Sequence, residues 1–247
     1  VFVALMLTGG VVPCLQPWPL KKIKLQGRYA GYNTDDFIAF VEEPSGRKNA
    51  KLLAQIKHSV GITENDKTFG EVIQAAWLDF QNPEVFDLGT DAIALITGPL
   101  SANDINNARP ILEWARHSAS AEEFVEKVNT ENFSSDAKRD KLQAFRTQLK
   151  KANKGTELSD EQLWQFLKRF HLLSLDLDIK SGFVLPLLKS HLAQFGSASG
   201  LWAMIAKEVA DFNQNAGTIT RETISQEIRL ALSKFVSDSI HPFVRVP

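Results

Sequence analysis

Cysteine is almost absent, with Cys14 the one example in 247 residues. A single thiol forms no internal disulfide and builds no Cys-rich zinc site, so a reducing compartment is expected. Neither sign of charge is in excess. The 28 Lys and Arg face 29 Asp and Glu, for a formal net charge of −1, which excludes a histone-like polycation. Glycine and proline are too few, at 14 and 10, for a collagen-like or low-complexity chain, and 44% apolar residues exclude intrinsic disorder. Long hydrophobic runs are missing too: none approaches the roughly 20 residues needed to cross a bilayer. The opening stretch Val1 to Leu7 is apolar but has no basic segment before it. Bulky Val11-Val12-Pro13 precedes Cys14, where a cleavage site would need small residues. It reads as a buried helix stopped by Gly9-Gly10. With no initiating Met, the chain is expected to be a cytoplasmic piece of a longer protein.

What is present divides into strand-like runs followed by helices. Residues 22–28 alternate as a half-exposed strand does. Residues 36–41 and 51–57 flank the turn signal Glu43-Pro44-Ser45-Gly46 and predict a β-hairpin. Thr68-Phe69-Gly70-Glu71 has the form of a capping box opening a helix with Phe69, Val72, Ile73, Ala76 and Phe80 on one face. Ala92 to Ile96 is continuously apolar, as a strand covered on both faces is. From Asn103 the spacing is mostly helical, with capping boxes at Ser120 and Ser159 and one more alternating run at Leu172 to Asp178. The stretch from Gly182 to Phe235 reads as helical throughout, with Ile224, Ile228, Leu232 and Phe235 on one face. The expected architecture is an α/β core with a helical attachment.

Several familiar sites can be discarded. There is no phosphate-binding Gly-x-x-x-x-Gly-Lys-Ser/Thr, no Gly-x-Gly-x-x-Gly and no His-Glu-x-x-His. Gly196 to Gly200 carries Ala198 where a nucleophile elbow needs serine. Ser135-x-x-Lys138 lacks companion motifs, and the five histidines have no metal-ligand spacing. The hairpin remains. Residues two apart in a strand share a face, so Gln55 and Lys57 project together while Ile56 points away. The turn brings Asp36 alongside them. A carboxylate, an amide oxygen and an ammonium at adjacent strand ends suit metal-assisted phosphodiester hydrolysis. Asp36, Gln55 and the Ile56 carbonyl can bind Mg2+, and Lys57 can orient the attacking water or neutralise phosphate charge. The plainer reading makes Asp35-Asp36 a turn signal and Lys57 an edge charge. Against it, Gln55 and Lys57 interrupt an apolar run, where burial without a role would be costly.

Asp-x(18)-Gln-x-Lys in a strand–turn–strand setting resembles the PD-(D/E)xK nucleases in their Mrr-like form, where glutamine replaces the second acid. More specifically, the segments 34–40, 53–59, 91–100 and 166–178 resemble the N-terminal nuclease domains of bacterial antiphage STAND NTPases, which are similar to CBASS-associated effector nucleases. The likeness runs from about Phe2 to Phe243. It implies a restriction-endonuclease-like core, a mixed central sheet flanked by helices, with a C-terminal helical extension. Residues 1–180 would form the nuclease-like domain, with a helical insertion at about 103–170, and residues 181–247 a helical region leading toward an NTPase. Asp36 carries over as the metal-binding acid, with Asp35 as its alternative, Gln55 as the second-acid equivalent and Lys57 as the catalytic lysine. The cofactor implied is Mg2+ or Mn2+. The partners implied are double-stranded DNA and further copies of the chain assembled through the parent NTPase, with no membrane. Related nucleases often draw another acid from the helix before the first strand, and Val1 to Leu7 has none.

DNA contact needs local positive charge even in a neutral chain. Lys138, Arg139, Lys141, Arg146, Lys150, Lys151 and Lys154 are opposed within their segment by Asp140 alone, and the first six are candidate DNA contacts. The other reading of this run is a solvated helix face. Lys21, Lys22, Lys24 and Arg28 form a second candidate patch. Trp77, Trp114, Trp164 and Trp202 read as core or interface. Two further functions stay open: a catalytically degenerate interaction module, and a nuclease acting on RNA.

Overall fold

The computed structural model describes residues 1–177 and 179–238, with residues 233–238 described by backbone alone. Helix α1 (Phe2–Thr8) buries Val3, Ala4 and Met6 and stops at Gly9, whose φ of 79° suits the residue without a Cβ. Strands β1 (Leu20–Leu25), β2 (Phe37–Glu42) and β3 (Asn49–Lys57) follow, then helix α2 (Lys67–Phe80) and strand β4 (Ala92–Thr97). The 43–46 turn closes the β2–β3 hairpin, with the Gly46 N–H donating to the Glu43 carbonyl at 2.8 Å and Gly46 at a φ of 71°. Four helices come next: α3 (Ala102–Arg116), α4 (Ala121–Asn129), α5 (Asp136–Ala152) and α6 (Asp160–Arg169). Strand β5 (Phe170–Ser174) starts directly after them, and α7 (Val184–Ala193), α8 (Ala198–Gln214), β6 (Thr218–Thr220) and α9 (Gln226–Asp238) complete the described chain.

The six strands form one mixed sheet in the order β5-β4-β3-β2-β1-β6. Pairing is antiparallel from β3 outward through β2, β1 and β6, and parallel from β3 through β4 to β5. The period-two alternation of the central strands separates two apolar layers. Ile38, Leu53, Ile93 and Leu95 face the layer containing Phe69, Ile73 and Trp77 of α2, Phe145 of α5 and Phe166 of α6. Phe37, Ala39, Leu52, Ala54 and Ile96 face the layer containing α1, Leu188 and Leu192 of α7, and Leu201 and Ile205 of α8. Every residue of β4 is buried, as expected of a strand covered on both faces.

Several expectations need revision. Helix α2 begins one residue before Thr68 and is capped by Asp66, whose carboxylate accepts the Phe69 N–H at 2.7 Å. Aspartate is as good a cap as threonine and here lies at the right distance. Ser159 does form a reciprocal capping box with Gln162, and Ser120 caps α4 while Glu123 reaches past it to the Ala119 N–H. The strand read at 172–178 spans 170–174, and Asp178 lies outside the described residues. The region after residue 181 is not wholly helical. Thr218-Ile219-Thr220 is β-branched throughout, and it pairs with β1 through Ile23↔Ile219. This region also supplies Leu188, Leu192, Ile205, Ile219, Ile224 and Ile228 to one apolar layer, so it is built into the sheet and its covering. The Phe235 side chain and Phe243 lie outside the described residues.

Candidate functional site

The β2–β3 register pairs Phe37 with Ala54, which sets Asp36 across from Gln55 at the strand end. The Asp36 Oδ2 accepts the Ile56 backbone N–H at 2.5 Å and a Gln55 Nε2–H at 3.2 Å. Gln55 is 8% exposed, and its Oε1 is buried without a hydrogen-bond partner. A buried amide oxygen left unpaired is costly. Turning the amide over would bring Oε1 to the Asp36 oxygen, an arrangement that two acceptors hold only around a cation or a shared proton.

Beside this pair lies a hollow of about 380 Å³ whose lining includes Asp35, Gln55, Lys57, Arg28, Glu71 and Gln74. Asp35 and Asp36, adjacent in sequence, are therefore used differently. Asp36 holds the end of β3, whereas Asp35 faces the hollow with its carboxylate 3.7 Å from the Arg28 guanidinium. Lys57 is half-buried and enters no ion pair among the described residues. Ile56 points away and is half exposed, as the strand alternation requires. No group of three His, Cys, Asp or Glu side chains that could hold a metal ion occurs among the described residues. The oxygen donors available are Asp36, the Gln55 amide and the Ile56 carbonyl, together with the Asp35 and Glu71 carboxylates that line the hollow. A hard cation such as Mg2+ takes oxygen donors of this kind and keeps several of its waters. The unpaired Gln55 oxygen is the feature of this structure that fits one.

Three contributors escaped the sequence reading. Glu71 and Gln74 project from the exposed side of α2 into the hollow. Asp79, on the same helix, is fully buried. Its carboxylate accepts the Asn33 N–H at 2.9 Å, the Asn33 Nδ2–H at 2.8 Å and the Thr34 N–H at 2.6 Å. It thereby ties the segment that delivers Asp35 and Asp36 to α2. A lone aspartate two residues after Trp77 on a helix's apolar side was the available signal.

The basic run on α5 is largely spoken for. Lys141 is 6% exposed, with its ammonium 2.8 Å from Asp104 and donating to the Ile62 carbonyl at 2.8 Å. It belongs to the core and offers no charge to a surface ligand. Arg139 pairs with Asp136, Arg146 with Asp160 and Lys150 with Glu157, while Lys151 donates to the Glu64 carbonyl. Counting along one segment missed acids arriving from elsewhere in the fold. Lys138 and Lys154 alone in that run have no ion pair or hydrogen bond from the ammonium among the described residues. In the second basic patch, Lys22 lies over the Phe40 ring, Lys24 donates to the Ala216 carbonyl, and Arg28 reaches the hollow. Trp77 and Trp164 are core residues, and Trp114 and Trp202 are half-buried.

A second hollow, of about 400 Å³, lies between α3 and β5 and is lined in part by Cys14, Arg109, Glu113, Arg116 and His171. Burial, with Arg116 adding to it, holds the His171 imidazole down to about 3, and burial pushes the Cys14 thiol up to about 11. Neither is poised for chemistry near neutral pH: the histidine is uncharged and the cysteine is not a thiolate. Among the described residues no helix is long and apolar enough to cross a membrane. Compared with known proteins, the chain matches no family model, no curated protein and no solved structure.

Proposed function

We propose that this chain is a metal-dependent nuclease module that hydrolyses phosphodiester bonds of DNA, with Asp36, Gln55 and Lys57 as its working residues. The observation that carries the reading is the cross-strand Asp36–Gln55 pair with a buried, unpartnered amide oxygen and Lys57 two residues farther along the same strand. The element order α1-β1-β2-β3-α2-β4, with β3 antiparallel to β2 and parallel to β4, agrees with the restriction-endonuclease-like core that the resemblance implies.

In this proposal Asp36, the Gln55 amide oxygen and the Ile56 carbonyl hold Mg2+ or Mn2+, which supplies Lewis-acid polarisation of a phosphate oxygen when bound. The Lys57 ammonium orients the attacking water and offsets charge that develops on the phosphate. The water oxygen bonds to phosphorus and gives up a proton to solvent, the opposite P–O bond breaks, and the departing oxygen takes a proton from solvent. Asp79 keeps the Asp35–Asp36 segment in place. Assembly through a parent NTPase and a role in antiphage defence belong to the same proposal and rest on the resemblance.

The competing reading, a degenerate interaction module, is favoured by one feature: one oxygen of the Asp36 carboxylate, Oδ2, already accepts from two protein donors. Incubating the protein with supercoiled plasmid, and with matched DNA and RNA duplexes, separates the readings. Nicking or linearisation that needs Mg2+ or Mn2+ and stops with chelator is expected for DNA. Cleavage confined to RNA replaces the substrate. Intact nucleic acid in every lane, at protein concentrations high enough for self-association, rejects the proposal in favour of the degenerate module.

A further inference from the structure

Between β1 and β2 the chain makes a 3-10 turn over Gly27–Ala30, entered through Gln26 at a φ of 50° and left through Gly31 at a φ of 90°. The turn is tied to the segment carrying the candidate site. The Gly27 N–H donates to the Asp35 carbonyl at 2.5 Å, the Gln26 N–H to the Asp36 carbonyl at 3.2 Å and the Tyr32 N–H to the Gly27 carbonyl at 3.3 Å. Gly27 is buried against Ile38, whose Cδ1 would lie 2.2 Å from an added Cβ. The residues that follow Gly27 project outward from this base. Arg28 reaches the lip of the hollow that Gln55 and Lys57 line. Tyr29 is 92% exposed, more than any other large hydrophobic side chain described, and has no hydrogen-bond or ring partner among the described residues.

An aromatic ring held in water contributes nothing to the core, since its apolar area stays hydrated on folding. Here the ring sits next in sequence to a guanidinium at the mouth of the candidate site. A cation that meets a phosphate, beside a flat ring that meets a base, is the pairing by which proteins hold unpaired nucleotides. A fully stacked duplex hides its base faces and leaves such a ring without a partner.

We infer that Arg28 and Tyr29 form a clamp for an unpaired nucleotide next to the phosphodiester to be cut, with Tyr29 stacking on the base and Arg28 on the adjoining phosphate. This rests on the nuclease reading and narrows it to substrates that are single-stranded, frayed or opened at the site.

The test is fluorescence anisotropy of the full chain with a fluorescein-labelled single strand of about 12 nucleotides and with the same sequence as a blunt duplex, in Ca2+ in place of Mg2+. Tyr29→Ala is expected to weaken single-strand binding at least about fivefold, the lower end of what one base–aromatic stack contributes. Tyr29→Phe, which keeps the ring, stays near the parent. Duplex binding changes little in either variant, and the exposure of Tyr29 leaves the melting temperature unmoved. Phe183→Ala serves as the control. Phe183 is 75% exposed but adjoins α7, on the opposite face of the sheet, and its loss should not matter. Single-strand binding unchanged in Tyr29→Ala, weakened equally for strand and duplex, or weakened equally by Phe183→Ala overturns the clamp while leaving the nuclease reading standing. A Tyr29-dependent single-strand complex that never cuts in Mg2+ or Mn2+ keeps the clamp and removes the nuclease. A parent that binds neither probe removes both.

Discussion

Replacing Asp79 by asparagine tests the idea that α2 holds the Asp35–Asp36 segment in place. The wild-type carboxylate is fully buried and serves three donors, the Asn33 and Thr34 backbone N–H groups and the Asn33 amide. Hydrogen bonds to a charged acceptor contribute about 1.5–3 kcal/mol each. Asparagine keeps one acceptor oxygen and turns an NH2 group toward a donor, so one or two of these bonds are lost and a buried N–H is left unpaired. The expected destabilisation is about 2–4 kcal/mol, or roughly 5–15 °C in melting temperature for a domain of this size. Urea denaturation followed by tryptophan fluorescence measures it, with the slope unchanged if both states keep their compactness. The displaced segment should also lower any Mg2+-dependent cleavage when the variant is assayed well below its melting point. A loss below about 0.5 kcal/mol, the range of ordinary surface substitutions, would show that the segment is held by other contacts and refute the reasoning.

Lys141→Met strips one partner from the buried Lys141–Asp104 pair and is expected to destabilise by about 3–5 kcal/mol. DNA affinity of the still-folded fraction should stay the same, and a selective loss of binding without loss of stability would restore Lys141 as a surface contact. His171 supplies a pH dependence. Its folded value of about 3 lies below the ordinary imidazole value of 6.5, so between these limits the unfolded chain binds the proton and the folded chain does not. Stability from this group is therefore full above about pH 6.5 and falls by about 1.4 kcal/mol per pH unit as the pH drops toward 3. His171→Asn should flatten that part of a denaturation-midpoint profile, and an identical acid slope in the variant would contradict the burial argument. Gln55→Glu places a second carboxylate against Asp36. It should tighten Mg2+ or Mn2+ binding by calorimetry and lower stability in chelator, and equal stability with and without metal would argue against a cation between these side chains.

The hairpin and the doubly covered strand read at 92–96 were legible because period-two and continuous apolar patterns report burial directly, whereas the helices after residue 181, read as an attachment, supply much of one core layer. The meeting of Asp36 and Gln55 at adjacent strand ends was legible from the hairpin, whose register sets them across from each other, and Gln55 and Lys57 stood out as polar residues in an apolar run. Asp79 and Lys141 show the limit. Each satisfies its charge with groups distant in sequence, 45 and 46 residues away for Asp79 and 37 for the Lys141–Asp104 pair. Local spacing contains no trace of such partners. The short strand at 218–220 was lost among helices because three residues carry too little periodicity to read, and its place beside β1 is decided by the edge it covers. The α5 charge surplus misled because charge along a segment is not charge on a surface: Asp104, Asp136, Asp160 and Glu157, all outside the counted run, pair with four of its seven basic residues.

The central claim is that Asp36 and Lys57 act on a phosphodiester. The direct measurement is the rate of cleavage of a labelled DNA in Mg2+ by the parent, Asp36→Asn and Lys57→Ala, each shown by its melting curve to be folded at the assay temperature. The account predicts metal-dependent cleavage by the parent and a loss of about 100-fold or more in each variant, the scale on which removing one transition-state contact acts. Variants that cut at the parental rate, with the same dependence on metal, would contradict it.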